Sequence, residues 1–340
     1  MIEKVKESRK KALIKQQWQV GDLAIRLGHP YTYPDNDAKP LILDCDTFQG
    51  INHYLGAYYV VKDTPKYIIE KNSKKNFKKL KELFKKAHKD LLPYKKFNQI
   101  YVDGQASIRS QDISFIKKYS SLKKDITHLD LGPGLGDMCP TIKLEYKTKY
   151  IALESTPLTY SVQREFLKYL YYNNQSIYDV VEAEDFKSNK EIETDINKKE
   201  FNIIHLPSWH FKILKNNSVD LVTATFMLNE LSYSGLFWLI SNAVNKLKKN
   251  GYLYIRDSYI LKPGMHQIEY DKLLTKIGFK EIAFYRIKNR FDFYGIPRLY
   301  KKINNNKISF EKLAKMFIGR FGVVASGQQR AYNLKNSLNK

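Results

Sequence analysis

The sequence predicts an α/β protein, a mostly parallel sheet wound with helices and preceded by a mainly helical N-terminal addition. Three observations carry this. From Thr127 onward, apolar runs of strand length alternate with stretches of helical character. The first run enters a glycine-rich turn, Gly132-Pro133-Gly134-Leu135-Gly136, and leaves it in helix-compatible sequence. The second, Tyr150-Ile151-Ala152-Leu153, closes on a carboxylate, Glu154.

Along the chain, residues 3–17 form a charged helical stretch. Residues 74–88 place apolar side chains at 77, 80, 83 and 84 on one helical face and lysines opposite. Such a face either packs on a domain, which is preferred here, or lies on an anionic membrane. Residues 41–69 carry no assignable motif. Tyr101-Val102-Asp103-Gly104 reads as a turn, and Ser110-Gln111-Asp112 as the N-cap of a helix running to about Leu122. After the first two strands come a helix over residues 157–172, an exposed loop or short helix over 182–200, and a third strand over 201–206. A fourth spans 219–226. A fifth spans 252–257, after the helix end Lys248-Lys249-Asn250-Gly251. Residues 291–300 supply a final antiparallel partner, and 310–317 a helical appendage.

With 340 residues, the chain exceeds the ~250 at which one core stops growing. The division expected is a cap or substrate region over 1–107, the sheet domain over 108–302 and the appendage over 303–340. Apolar residues at 43% and aromatic residues at 14% exclude disorder of the whole. No apolar run nears the ~20 residues of a membrane span, and the first residues lack an apolar signal core, so a cytoplasmic protein is expected. Cys45 and Cys139 suggest neither a disulfide framework nor a zinc site. The net charge of +23 invites an anionic partner, yet only ten of the 58 basic residues are Arg, the residue that phosphate and base recognition favour. A solvated lysine surface is the preferred reading.

The glycine turn carries the chemistry. Its spacing, G-x-G-x-G behind Asp130, differs from the G-x-G-x-x-G of dinucleotide sites and argues for S-adenosylmethionine. Gly132, Gly134 and Gly136 allow close approach of a ligand to the backbone. Asp130 is placed to accept from a cationic or N–H-bearing group. Glu154, eighteen residues after Gly136, suits a ribose diol. These features resemble the first motifs of class I S-adenosylmethionine-dependent methyltransferases, over roughly residues 108–302. The resemblance implies a Rossmann-like seven-stranded sheet and S-adenosyl-L-methionine as cofactor.

The same resemblance brings residues 205–210 past the adenine ring. There Trp209 either covers the heterocycle or belongs to the core. Thr225, near the end of the fourth strand, is expected at the cofactor. Glu230 follows in Asn229-Glu230-Leu231-Ser232, where it either orients or deprotonates an acceptor hydroxyl or pairs with the dipole at a helix N-terminus. Asp257 and His266 fall at the crevice rim, and His205, His210 and His266 compete as general base. Arg109 is a candidate contact or a surface residue. The acid at 230 followed by an apolar residue and Ser, with the long N-terminal addition, looks like bacterial sugar O-methyltransferases of surface-polysaccharide genes. That implies a sugar, nucleotide-sugar or lipid-linked glycan acceptor, with Mg²⁺ as an optional metal for which no ligand cluster is visible. The alternatives are an RNA methyltransferase, for which the charge speaks, and a non-catalytic binding protein with a relict fold.

Overall fold

The computed structural model describes residues 1–14, 71–91, 99–155, 157–171, 177–198, 200–228, 233–257, 270–284 and 295–318. The N-terminal region contributes helices α1 (Ile2–Ile14), α2 (Lys71–Leu91) and α3 (Gln99–Tyr119). The sheet region runs β1 (Asp125–Leu131), α4 (Met138–Lys143), β2 (Lys147–Glu154), α5 (Pro157–Tyr171), β3 (Ile177–Asp179), α6 (Val180–Ala183) and α7 (Asn189–Ile196). It continues with β4 (Ile203–Pro207), a 3-10 turn (Ser208–Ile213), β5 (Val219–Thr225), α8 (Tyr233–Lys246) and β6 (Leu247–Asp257). It ends with α9 (Tyr270–Lys276), β7 (Phe279–Phe284), β8 (Ile296–Lys302) and α10 (Phe310–Ile318).

The eight strands form one sheet in the order β3-β4-β2-β1-β5-β6-β8-β7. All neighbours are parallel except β8, which is antiparallel to both β6 and β7. Seven strands meet the expectation; the eighth is β3, a three-residue edge strand beside β4. Alternation of side chains places two different cores on the two faces. Leu129, Ile151, Ile204, Val222 and Leu253 pack with α8, while Ile126, Leu221 and Tyr254 pack with Ile113 and Ile116 of α3 and with Met138 of α4.

Helix α3 corrects the sequence reading. Residues 101–104 do not turn but continue the helix, and Ser110 lies mid-helix, its hydroxyl donating to the Ser107 carbonyl at 2.8 Å. Val102 and Ala106 are buried against Leu80 and Phe84 of α2, and Lys81 pairs with Asp103 at 3.0 Å. Burying one Val is worth roughly 1.5–3 kcal/mol, which outweighs the ~1 kcal/mol that Gly104 costs a helix. The apolar face of α2 therefore packs on protein. Because α3 passes residue 107 unbroken, the N-terminal helices and the sheet share an element. Residues 182–200 contain α7, opened by a capping box between Ser188 and Glu191. The appendage α10 packs on α8, and Asn245 exchanges two hydrogen bonds with the Ile308 backbone. Among the described residues no helix is long and apolar enough to cross a membrane.

Candidate functional site

The carboxyl ends of β1, β2, β4, β5 and β6 meet at one edge of the sheet, where open α/β sheets receive ligands. β1 ends in the glycine turn. All three glycines take the left-handed conformation, with φ of +56° at Gly132, +57° at Gly134 and +82° at Gly136. A Cβ at Gly132 would lie 3.0 Å from Met227 Cε, and one at Gly136 3.1 Å from Leu167 Cδ2. At Gly134 it would meet nothing within 4 Å. Two of the glycines thus admit neighbouring side chains, and the third leaves open space. The turn is fixed by Gly132 N–H donating to the Leu153 carbonyl at 3.0 Å and Gly136 N–H to that of Pro133 at 2.8 Å.

Asp130 is buried behind this turn. Its Oδ2 accepts from the Tyr150 hydroxyl at 2.7 Å and its Oδ1 from the Thr223 hydroxyl at 2.6 Å. Burial pushes its pKa up to about 6, against the opposing pull of those two hydrogen bonds and of Arg109. Thr223 has one proton, so toward His128 Nε2, 2.6 Å away, it accepts. His128, pulled down to about 3 by burial, is neutral.

Arg109 is a buried residue of the site and not a surface one. Its Nη1 donates to Asp112 Oδ2 at 3.0 Å and to Thr225 Oγ1 at 3.2 Å. Burial lowers its pKa, but Asp112, Asp137 and Asp130 outweigh burial and raise it. Asp112, expected as a first-turn acid, is fully buried and also binds Arg256 Nε at 2.6 Å. Asp137, one residue past the third glycine, is pushed up by burial and opposed by Arg109. The sequence signal for it was its adjacency to the motif. Phe226, just beyond Thr225, holds a left-handed φ of +58°, and its N–H donates to the Arg256 carbonyl at 2.7 Å. Such strain in a non-glycine residue collects at functional sites.

On the other flank, Glu154 ends β2 with its Oε1 accepting from Ser155 N–H at 2.7 Å, and its backbone registers with Pro207 of β4. The next residue, Ser208, has a buried hydroxyl with no hydrogen-bond partner among the described residues. Trp209 is a core residue: it packs with Val5, Ala12, Tyr160 and Val181 and donates from Nε1 to Ser8 Oγ of α1 at 2.9 Å. Of the two readings of Trp209, a ring over a heterocycle or a core residue, its packing beneath α1 matches the second. His205 is likewise not a free base. It is fully buried on β4, stacked on Tyr160, with Nε2 2.8 Å from Gln163 Oε1 and Nδ1 3.2 Å from Asp179 Oδ2. His210 pairs with Glu184. Asp257 ends β6 at the same edge of the sheet, mostly buried. Glu230 and His266 lie outside the described residues. Among those residues no group of three His, Cys, Asp or Glu side chains is placed to hold a metal ion.

No family model matches the chain, and no curated protein does. Solved structures do. Phosphoethanolamine N-methyltransferase 1 of Haemonchus contortus, in complex with phosphoethanolamine and S-adenosylhomocysteine, is 15% identical with a TM-score of 0.41. That match covers 77% of this chain, which spans only 56% of that enzyme. A SAM-dependent methyltransferase of Aquifex aeolicus is 20% identical over 61% of this chain and 100% of its own, with a TM-score of 0.36. The CurJ carbon methyltransferase is 12% identical over 63% of this chain and 58% of its own, with a TM-score of 0.40.

Proposed function

We propose that this chain is an S-adenosylmethionine-dependent O-methyltransferase acting in the cytoplasm on a sugar hydroxyl of a bacterial surface polysaccharide or its precursor. The observation that carries the reading is the glycine turn: three left-handed glycines behind a buried acid, with open space where Gly134 lacks a Cβ. The Ser208 hydroxyl, buried and with no hydrogen-bond partner among the described residues, fits the same ligand, since it follows Pro207, the register partner of Glu154, and a nucleoside would bring it a polar atom. Gly132, Gly134 and Gly136 would cradle it, Glu154 would accept from the ribose hydroxyls, and Asp130 with Thr225 would lie at its methionine end. When bound, the cofactor supplies an electrophilic methyl group on a sulfonium. Methyl transfer makes one C–O bond and breaks one C–S bond, and the acceptor proton passes to a base. Asp257, Glu230 and His266 are the candidates for that base. The division of labour expected is a cap over 1–107, the transferase domain over 108–302 and the appendage over 303–340.

A second reading, an RNA acceptor, is favoured by α2, whose outer face exposes Lys74, Lys75, Lys78, Lys79 and Lys86. One experiment separates the two. The protein is incubated with methyl-labelled S-adenosylmethionine and, in parallel, sugar nucleotides, surface glycans and bulk RNA, and label is located by mass spectrometry. Label on a sugar oxygen supports the first reading, label on RNA the second. Labelling of neither, by protein that binds the cofactor, would falsify both acceptor assignments.

A further inference from the structure

The carbonyl of Gly134 is held by a chain of side chains from three other elements. Gln163 of α5, itself fully buried, donates from Nε2 to that carbonyl at 2.7 Å. A carbonyl only accepts, so the amide must present its nitrogen to Gly134, which leaves Oε1 to accept from His205 Nε2–H at 2.8 Å. Beyond it, His205 Nδ1 faces Asp179 Oδ2 at the end of β3, at 3.2 Å, and donates to it while the imidazole carries both protons. Tyr160 closes the group: its ring stacks on the imidazole with centroids 3.6 Å apart, and its hydroxyl donates to Asp179 Oδ1 at 3.0 Å. Tyr160, Gln163 and Leu167 share one face of α5, and Leu167 abuts Gly136. One helix face therefore backs the turn at both of its later glycines.

The consequence follows from the trans peptide. The Gly134 carbonyl and the Leu135 N–H belong to one plane and point in opposite directions. Anchoring the oxygen on α5 directs that N–H away from α5. A glycine at φ +57° has little steric reason to keep this orientation by itself. Resting on the cofactor reading above, we propose that Gln163, oriented by His205 and Asp179, is a positioning residue for the cofactor, fixing the Gly134–Leu135 peptide in its binding orientation.

Gln163→Glu tests this because it keeps the size of the side chain and removes the donor while the new carboxyl is ionised. The groups facing that position are His205 from β4, Asp179 from β3, and Tyr160 and Arg164 from α5, with Arg164 Nε 3.3 Å from Asp179. S-adenosylhomocysteine is titrated calorimetrically into the full chain at several pH values between about 5.5 and 8.5, and the affinity of each variant is divided by that of wild type. The expected ratio is a loss on the order of tenfold at the alkaline end, the cost of one unmade buried hydrogen bond. It narrows in acid, where the protonated carboxyl donates to Gly134 again. Gln163→Met, with neither donor nor acceptor, is expected to show the loss at every pH. Hydrogen exchange of residues 132–137 without ligand is expected to quicken in both variants. Wild-type affinity in both variants, or a Gln163→Glu deficit that does not change with pH, overturns the positioning role. Absence of binding by wild type sinks the cofactor reading and the role with it, and the ligand-free exchange shows whether the tether itself was real.

Discussion

Replacing Asp130 with Asn is expected to stabilise the protein near neutral pH and to lose that advantage in acid. The carboxyl is buried, and its pKa rises from 3.8 to about 6 in the folded chain. At 1.36 kcal/mol per unit, ionised Asp130 costs the fold about 3 kcal/mol. The sign follows from linkage. A raised folded pKa gives stability that is fully present below the unfolded value of 3.8 and is lost as the pH rises through about 6. Between about pH 8 and pH 4, wild type therefore regains roughly 2–3 kcal/mol relative to Asp130→Asn. The variant also rearranges the hydrogen bonds from Tyr150 and Thr223, but that difference does not depend on pH and cancels when the two ends are compared. Urea unfolding of both proteins across this range gives the quantity directly. A stability difference that stays flat with pH, or that grows as the pH falls, would refute the placement of Asp130 as a buried carboxylate held ionised at a cost.

Three further outcomes are expected. Arg109→Leu leaves Asp112, Asp130 and Asp137 without their shared cation. It is expected to lower unfolding stability by roughly 3–5 kcal/mol and to move the Asp130 transition to higher pH, both read in the same urea series. Gly134→Ala is expected to fold with a penalty of about 1–2 kcal/mol for the left-handed Cβ alone. Gly136→Ala costs more, because its Cβ also crowds Leu167 at 3.1 Å; thermal unfolding of the pair ranks them, and equal penalties would contradict the packing. Ser8→Ala unpairs the buried Trp209 N–H and is expected to cost about 1–2 kcal/mol. Limited proteolysis near residue 14 checks that the loss is felt at α1.

The sheet and the turn at its carboxyl edge were legible because their signals are local. Three glycines at alternate positions between an apolar run and a helix announce a strand and a tight turn, and Glu154 announces the next strand's end. What surrounds Asp130 was not legible. Tyr150 and Thr223 are 20 and 93 residues away in sequence and reach it only through the register of β1 with β2 and β5. The buried Arg109–Asp112 pair was hidden for a different reason: it is local, and an i,i+3 pair on a helix reads equally well as solvated. Gly104 misled because turn propensity is weaker than the burial of Val102 and Ala106 against α2. Trp209 was expected at the cofactor from its position just after β4, and His205 as a base from its place near the end of that strand. Both are instead claimed by α1 and α5, helices whose docking no local pattern encodes. β3, at three residues, is too short to show a period.

The most direct test of the account is calorimetric binding of S-adenosylmethionine to the wild-type chain and to Gly134→Val, with Mg²⁺ present and then chelated. Binding by the wild type is expected, and none by the variant, whose branched side chain would fill the space that Gly134 leaves open. No binding to the wild type under either condition, or equal binding to both proteins, would contradict it.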